Sequence, residues 1–151
     1  MILSRGVLML NEIIKGISTA LHRAFGFEIF VNQIEQGLQT PCFFIAVLKP
    51  EVTPLLGRRC LKRNSFDIQY FPTESRKHDE MYQVAEQLIE HLELIALPNG
   101  DLLHAANISY EVIDGVLHFF VNYNLPMIKT AEQIYMEALE TEVNTTNTNE
   151  R

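Results

Sequence analysis

The most distinctive chemistry in the sequence is a basic cluster, in which four lysine and arginine side chains fall within six positions. Guanidinium and ammonium groups bind carboxylates and phosphates. Leucines beside arginines are more typical of interface cores than of a turn that contacts only water. The cluster, which we call the arm, therefore predicts a docking surface, with an ordinary solvated turn as the alternative. The residues of this candidate interface are Leu55, Leu56, Arg58, Arg59, Leu61, Lys62 and Arg63.

The charge of the whole chain bears on what the arm contacts. The formal net charge is −7 and the pI is about 5.2. A general nucleic-acid binder needs a sizeable positive surface, and four charges make a small one. Basic residues do not alternate with the strand aromatics, which favours a core role over a stacking platform for bases. The sequence therefore favours a protein partner.

No catalytic or metal-binding pattern accompanies the arm. The histidines are scattered and form neither an i, i+4 pair nor a Cys/His motif. Glu86, Glu90 and Glu93 lie on one helical face without a histidine at ligand spacing, which indicates a solvated acidic face. The sequence contains no G-x-S-x-G, P-loop or G-x-G-x-x-G motif. We therefore expect a protein that is not an enzyme and that uses no metal or cofactor, although a small enzyme with an unrecognised site is an alternative.

The two cysteines and the hydropathy of the chain indicate the cellular compartment in which the protein folds. Cys42 and Cys60 are too few for a disulfide framework, so we expect reduced, buried thiols and a reducing compartment. No apolar run reaches the roughly 18 residues of a membrane span. The first ten residues lack a long apolar stretch and a small-residue cleavage site, so we expect no signal peptide.

Two amphipathic helices are predicted from apolar residues at steps of three and four. The first stripe runs from Leu10 to Phe25, and Gly26 is its expected stop because glycine accepts a left-handed conformation. The second runs from Met81 to Ile95 and is followed by a break at residues 98–100.

Five strands are predicted, at residues 27–34, 43–48, 64–71, 102–113 and 116–125. Pro50 and Pro54 are expected to end pairing after the second strand. The pair Asp114-Gly115 predicts a type I′ hairpin between the last two. We expect a short helix over residues 128–143 and a disordered polar tail over residues 144–151.

These elements predict an α+β fold, in which a mixed or antiparallel sheet of about five strands carries two helices on one face. An extended β-arm would project between the second and third strands. Residues 1–143 would form a single domain. Two helices cannot cover both faces of such a sheet, so we expect the open face to meet a partner subunit.

Several stretches of the sequence resemble the tail terminator family of phages and of the phage-tail-like particles of Gram-positive bacteria. Together they extend from about Met9 to about Tyr123. The blocks are LNEIIKGI at 10–17, EQGL at 35–38 with PCFF at 41–44, TPLLGRR at 53–59, NSFDIQYFP at 64–72 and DGVLHFFVNY at 114–123.

The resemblance implies a virion structural protein rather than an enzyme. Such a subunit forms a hexameric ring that caps the tail tube, stops tail elongation and presents a surface to the head or neck. Its partners would be further copies of itself, the tail tube protein, a head–tail connector and, in contractile tails or bacteriocin particles, the sheath. DNA would only pass through the lumen. The expected location is the tail, after assembly in the host cytoplasm. A head–tail adaptor or a tail assembly chaperone is the alternative.

Overall fold

The computed structural model describes residues 2–3, 7–33, 36–74 and 78–128. They form two helices and one sheet of eight strands, so the α+β prediction is confirmed, although the strand count is larger than the five expected. The helices are α1 (Val7–Phe25) and α2 (His78–Leu92). The strands are β1 (Ile2–Leu3), β2 (Glu28–Val31), β3 (Cys42–Val47), β4 (Glu51–Pro54), β5 (Arg59–Phe71), β6 (Leu94–Ala96), β7 (Leu102–Ile113) and β8 (Val116–Ile128).

The sheet is mixed and is centred on two long strands. Its main path runs β2-β3-β5-β8-β7-β6, with β4 paired to β5 and β1 paired to β8 outside that path. The β2–β3 and β1–β8 pairs are parallel, and the other pairs are antiparallel. On the side away from β8, the long strand β5 pairs first with β4 and then, further along its length, with β3.

The alternation of side chains on the central strands defines the two faces of the sheet. On β8, Leu117, Phe119, Val121 and Tyr123 are fully buried and face the helices. The residues between them, such as His118 and Phe120, are half-buried on the other face. The helices therefore cover one face, as predicted.

Two glycines determine where helix α1 ends and how closely it packs against the sheet. Gly26 has a φ of 70°, and its N–H donates to the carbonyl of His22 at 2.9 Å, which confirms the predicted stop. Gly16 lies inside the helix, where a Cβ would come within 2.9 Å of the carbonyl oxygen of Ala96. The missing side chain therefore allows β6 to approach the helix closely.

Both ends of α2 are held to the sheet by tyrosines. The hydroxyl of Tyr70 donates to Glu80 Oε1 at 2.8 Å, near the start of the helix. The hydroxyl of Tyr123 donates to the carbonyl of Leu92, the last helical residue, at 2.6 Å. These bonds fix the position of the helix along β5 and β8.

The predicted hairpin between β7 and β8 is confirmed. Asp114 and Gly115 have φ values of 50° and 76°, the left-handed values that both central residues of a type I′ turn need. The register begins with Ile113 opposite Val116.

Three strands were missed, and several strand boundaries differ from the prediction, among them the end of β2 at Val31 rather than at residue 34. Strands β1 and β6 have only two and three residues. Strand β4 includes Pro54, where pairing was expected to stop. An edge strand tolerates this proline because its nitrogen, which has no hydrogen to donate, faces away from β5. Strand β5 begins at Arg59 rather than at residue 64. Strand β8 continues past Pro126 to Ile128, because that proline lies between the part of β8 that pairs with β7 and the part that pairs with β1.

Cys42 and Cys60 are free and buried, as expected. The helix predicted over residues 128–143 and the tail at residues 144–151 lie outside the described residues, except that Ile128 ends β8. No helix in the described part of the chain is long and apolar enough to span a membrane.

The buried Tyr123 predicts a loss of stability in alkali. Burial raises the pKa of its hydroxyl above the ordinary 10.0, because a phenolate would lose its solvation. A group whose pKa is raised by folding contributes its full stabilisation at a pH below its pKa in the unfolded chain. This stabilisation is lost as the pH rises from that value through the pKa in the folded chain. We expect chemical denaturation to show a free energy of unfolding that falls above about pH 10.

Tyr123→Phe should cost about 1–2 kcal/mol at pH 7, since the Leu92 carbonyl loses its donor. The variant should also show a smaller decrease in the free energy of unfolding above about pH 10. An equally steep fall in this variant would contradict the assignment.

Candidate interface on the arm and the helical face

The arm is a hairpin that continues the sheet. Strand β4 pairs with the first part of β5, with Glu51 opposite Arg63 and Pro54 opposite Cys60. The N–H of Leu55 donates to the carbonyl of Arg59 at 2.9 Å, which closes the turn. On its other side β5 pairs with β8, starting with Arg59 opposite Ile128. From Arg59 onward the arm is therefore backed by the central strand β8.

The tip of the arm is open to solvent. Leu56 is 94% exposed and Leu55 is 47% exposed. Arg58 and Arg59 are exposed beside them, and a shallow cleft at the tip is lined by Leu56, Gly57, Arg58, Arg59 and Ile128. The structure therefore brings apolar and basic side chains together at one end of the molecule.

The remaining candidate residues divide between the two faces of β5. Leu61 is half-buried and Arg63 is exposed, both on the face away from the helices. Lys62 is only 8% exposed and alternates with the buried Cys60 and Asn64 on the helical face. We therefore exclude Lys62 from the exposed surface of the arm, because strand alternation turns it inward.

The exposed arginines of the arm form no ion pair with the described part of the chain. The side-chain ion pairs among the described residues are Lys15–Glu12 at 3.8 Å and His118–Asp67 at 2.9 Å. Neither involves the arm. No carboxylate of the described residues therefore pairs with Arg58, Arg59 or Arg63.

A second polar group lies on the open face of the sheet. His118 Nδ1 lies 2.9 Å from Asp67 Oδ2, and Gln69 Nε2 donates to the same oxygen at 3.0 Å. The His118 ring stacks on Phe120 with the ring centres 6.3 Å apart. Within the described part of the chain, the second imidazole nitrogen has no hydrogen-bond partner. Sequence spacing did not reveal this pair, because its members are 51 positions apart.

A third group lies where α2 meets β7. The hydroxyl of Tyr110 donates to Glu86 Oε1 at 3.2 Å, and this bond to a carboxylate raises the pKa of Tyr110. Tyr82 is 48% exposed and lies one helical turn before Glu86, and the exposed Glu90 lies one turn after it. We call Tyr82, Glu86, Glu90 and Tyr110 the α2 patch. The sequence indicated its acidic residues, but the contact with Tyr110 depends on tertiary packing.

Metal chemistry has no support in the described residues, where no three His, Cys, Asp or Glu side chains are placed to hold an ion. The described part of the chain has an exposed basic hairpin, an exposed helical face with acidic and aromatic side chains, and a half-buried sheet face. These features define a small α+β protein with three exposed surfaces of different chemistry.

A comparison with protein families narrows this class. The family model described as phage tail terminator protein matches residues 12–135. The chain therefore belongs to the phage tail terminator family. It thus has a structural role in a phage tail, where it contacts other tail components.

Two further comparisons add little to this result. No curated protein matches the chain. Among solved structures, one that carries no functional description is 14% identical over 82% of this chain and 94% of that chain, with a TM-score of 0.48. At this TM-score the similarity supports no statement about function.

Proposed function

We propose that the chain is the subunit of a ring that caps the tail tube, ends tail elongation and presents an attachment surface for the head or neck. The observation that carries the proposal is the match to the tail terminator family over residues 12–135. A ring of six copies is the arrangement that we expect, with the tube protein below it and connector proteins above it. In a contractile tail the sheath would be a further partner.

The shape and charge of the described residues are consistent with this role. A subunit that joins copies of itself and also the end of a tube needs more than one contact surface. The arm tip, the α2 patch and the open sheet face are three separate surfaces of different chemistry. The tail terminator family is structural, and this match favours a non-enzymatic role over the enzyme alternative.

The test is the composition and appearance of finished particles. We expect the wild-type chain to be present in purified tails, at one end of the tube, when it is labelled and examined by electron microscopy. In its absence, tails should have irregular length and should fail to join heads. Labelled protein that occurs during assembly but is missing from finished particles would instead indicate an assembly chaperone and would overturn the proposal.

A head–tail adaptor is distinguished by tail length. Loss of an adaptor leaves tails of normal length without heads, because tube elongation still stops. Loss of a terminator leaves tails whose length is no longer controlled. The measurement is therefore the length distribution of tubes from cells that lack the chain, compared with that of tubes from the same cells supplied with the wild-type chain.

A further inference from the structure

The arm tip has no partner of matching chemistry within the described part of its own chain. It presents two exposed leucines and two exposed arginines, and no ion pair involves these arginines among the described residues. Arginines and apolar side chains together are typical of residues that anchor a protein interface. A complementary surface would have carboxylates to bind the guanidinium groups and aromatic faces on which they stack.

The α2 patch has that complementary composition. Helix α2 has four acidic residues and neither lysine nor arginine. Glu86 and Glu90 are one turn apart on its exposed face, flanked by the exposed rings of Tyr82 and Tyr110. Two like charges one turn apart weaken an isolated helix. A bound cation would remove this repulsion.

The two surfaces lie at opposite sides of the subunit. The arm connects β4 to β5, and β4, β5, β8 and β7 follow one another across the sheet, so the arm and β7 are on opposite sides of it. Tyr110 lies opposite Phe119, which lies opposite Ile68, nine residues along β5 from Arg59. At about 3.3 Å per residue this offset is about 30 Å along the strand. The arm of one chain therefore cannot reach its own α2 patch.

We propose that the arm tip of one copy binds the α2 patch of the next copy, with Arg58 and Arg59 paired to Glu86 and Glu90. The inference rests on the proposed ring and names the surfaces that would build it. Contacts between two different patches of identical chains are head-to-tail, and they close into a ring when the rotation between copies permits. Opposite charge on the two patches offsets part of the repulsion between copies that each carry −7.

The contact is made by side chains rather than by strand pairing. Strand β6 pairs with β7 from Leu102 to His104, and the N–H of Ala105 donates to the carbonyl of Glu93 at 2.8 Å. Beyond Ala105 the described part of β7 pairs with β8 alone, which leaves its outer edge open. On the arm, however, Pro54 has no N–H, and it limits the ladder that β4 could form with another strand. The charges should therefore decide the contact.

Charge reversal tests the pairing in purified full-length protein. Arg58→Glu with Arg59→Glu reverses the arm tip, and Glu86→Arg with Glu90→Arg reverses the α2 patch. Each double variant should weaken self-association, measured by sedimentation velocity over a range of concentrations, by about tenfold or more. A chain that carries all four changes should associate again, because the opposite charges then face each other. Circular dichroism and thermal melting establish that each variant is folded.

Matched controls carry the same charge changes elsewhere. Lys15→Glu with Arg23→Glu reverses two exposed basic residues of α1, and Glu28→Arg with Glu74→Arg reverses two exposed acids. Both controls should associate like the wild type. Equal losses in the controls would show that net charge, and not these two surfaces, governs association, and would overturn the inference.

A disulfide trap provides an independent measurement in tails and in purified protein. Leu56→Cys on the arm tip and Gln87→Cys on the exposed face of α2 should yield a ladder of cross-linked copies under mild oxidation, since the native Cys42 and Cys60 are buried. Either single cysteine should yield no more than dimers.

The outcomes separate this inference from the proposed function. The pairing is overturned, and the terminator role is left standing, by three results together. Wild-type tails contain the chain at their ends, the double-cysteine variant yields no ladder, and the fourfold charge variant does not associate again. Cross-linking of Leu56→Cys to the tube protein instead of to another copy would also overturn it. Absence of the chain from finished tails would overturn the proposed function, whatever the purified protein does.

Discussion

Replacing Phe119 by alanine should remove about 3–5 kcal/mol from the free energy of unfolding. The ring is fully buried at the centre of the sheet, with Ile68 of β5 opposite it on one side and Tyr110 of β7 on the other. The truncated side chain no longer contributes the favourable free energy of burying the phenyl ring. It also leaves a cavity that the neighbouring strands are too rigid to close. Urea denaturation followed by circular dichroism measures the loss.

The neighbouring Phe120 is the matched control. It is the same residue type on the same strand, but it is half-buried on the face away from the helices. We expect Phe120→Ala to cost about 1–2 kcal/mol, since less apolar area is lost from the interior. Equal costs at the two positions would contradict the assignment of the faces of the sheet.

The second large effect concerns function rather than stability. Arg58→Ser, Arg59→Ser and Arg63→Ser together should leave the fold nearly intact, because an exposed charge usually contributes within about ±0.5 kcal/mol. If Arg58 and Arg59 each contribute about 2 kcal/mol at an interface, affinity falls by roughly a thousandfold. We therefore expect cells that supply only this variant to make few completed tails, counted by electron microscopy. Lys62 is left unchanged because it is buried.

A control variant separates the arm from net charge. Lys15→Ser, Arg23→Ser and Lys49→Ser remove three exposed basic residues outside the arm and lower the formal charge of −7 by the same three units. Tails should be completed normally with this variant. Normal tails from the arm variant would refute the docking role of the arm.

The sequence predicted the elements whose signals are local. The stripe of α1, the stop at Gly26 and the Asp114-Gly115 turn each depend on residues within a few positions, and all three are confirmed. The first part of β5, residues 59–63, was missed because its inward residues, Cys60 and Lys62, are not the apolar pair that an alternating strand usually shows.

The candidate site was predicted only in part, for a similar reason. A run of charges indicated the arm, and the structure places Leu56, Arg58 and Arg59 at its exposed tip. Which residues of the arm face inward follows from the alternation along β5, and the prediction began that strand only at residue 64 and so did not extend the alternation into the arm. The contact between Tyr110 and Glu86 likewise spans 24 positions and requires the packed fold.

The unbroken course of β5 through arm and body has a mechanical consequence. Because β5 pairs with β8 from Arg59 to Tyr70 without a register shift, the arm has no hinge of its own. Bending it would break hydrogen bonds of the central ladder, so its angle to the body is set by the twist of the sheet. In a ring of the proposed kind, that angle fixes the rotation from one copy to the next. The number of copies that close the ring would then be a property of the folded subunit rather than of the tube end beneath it.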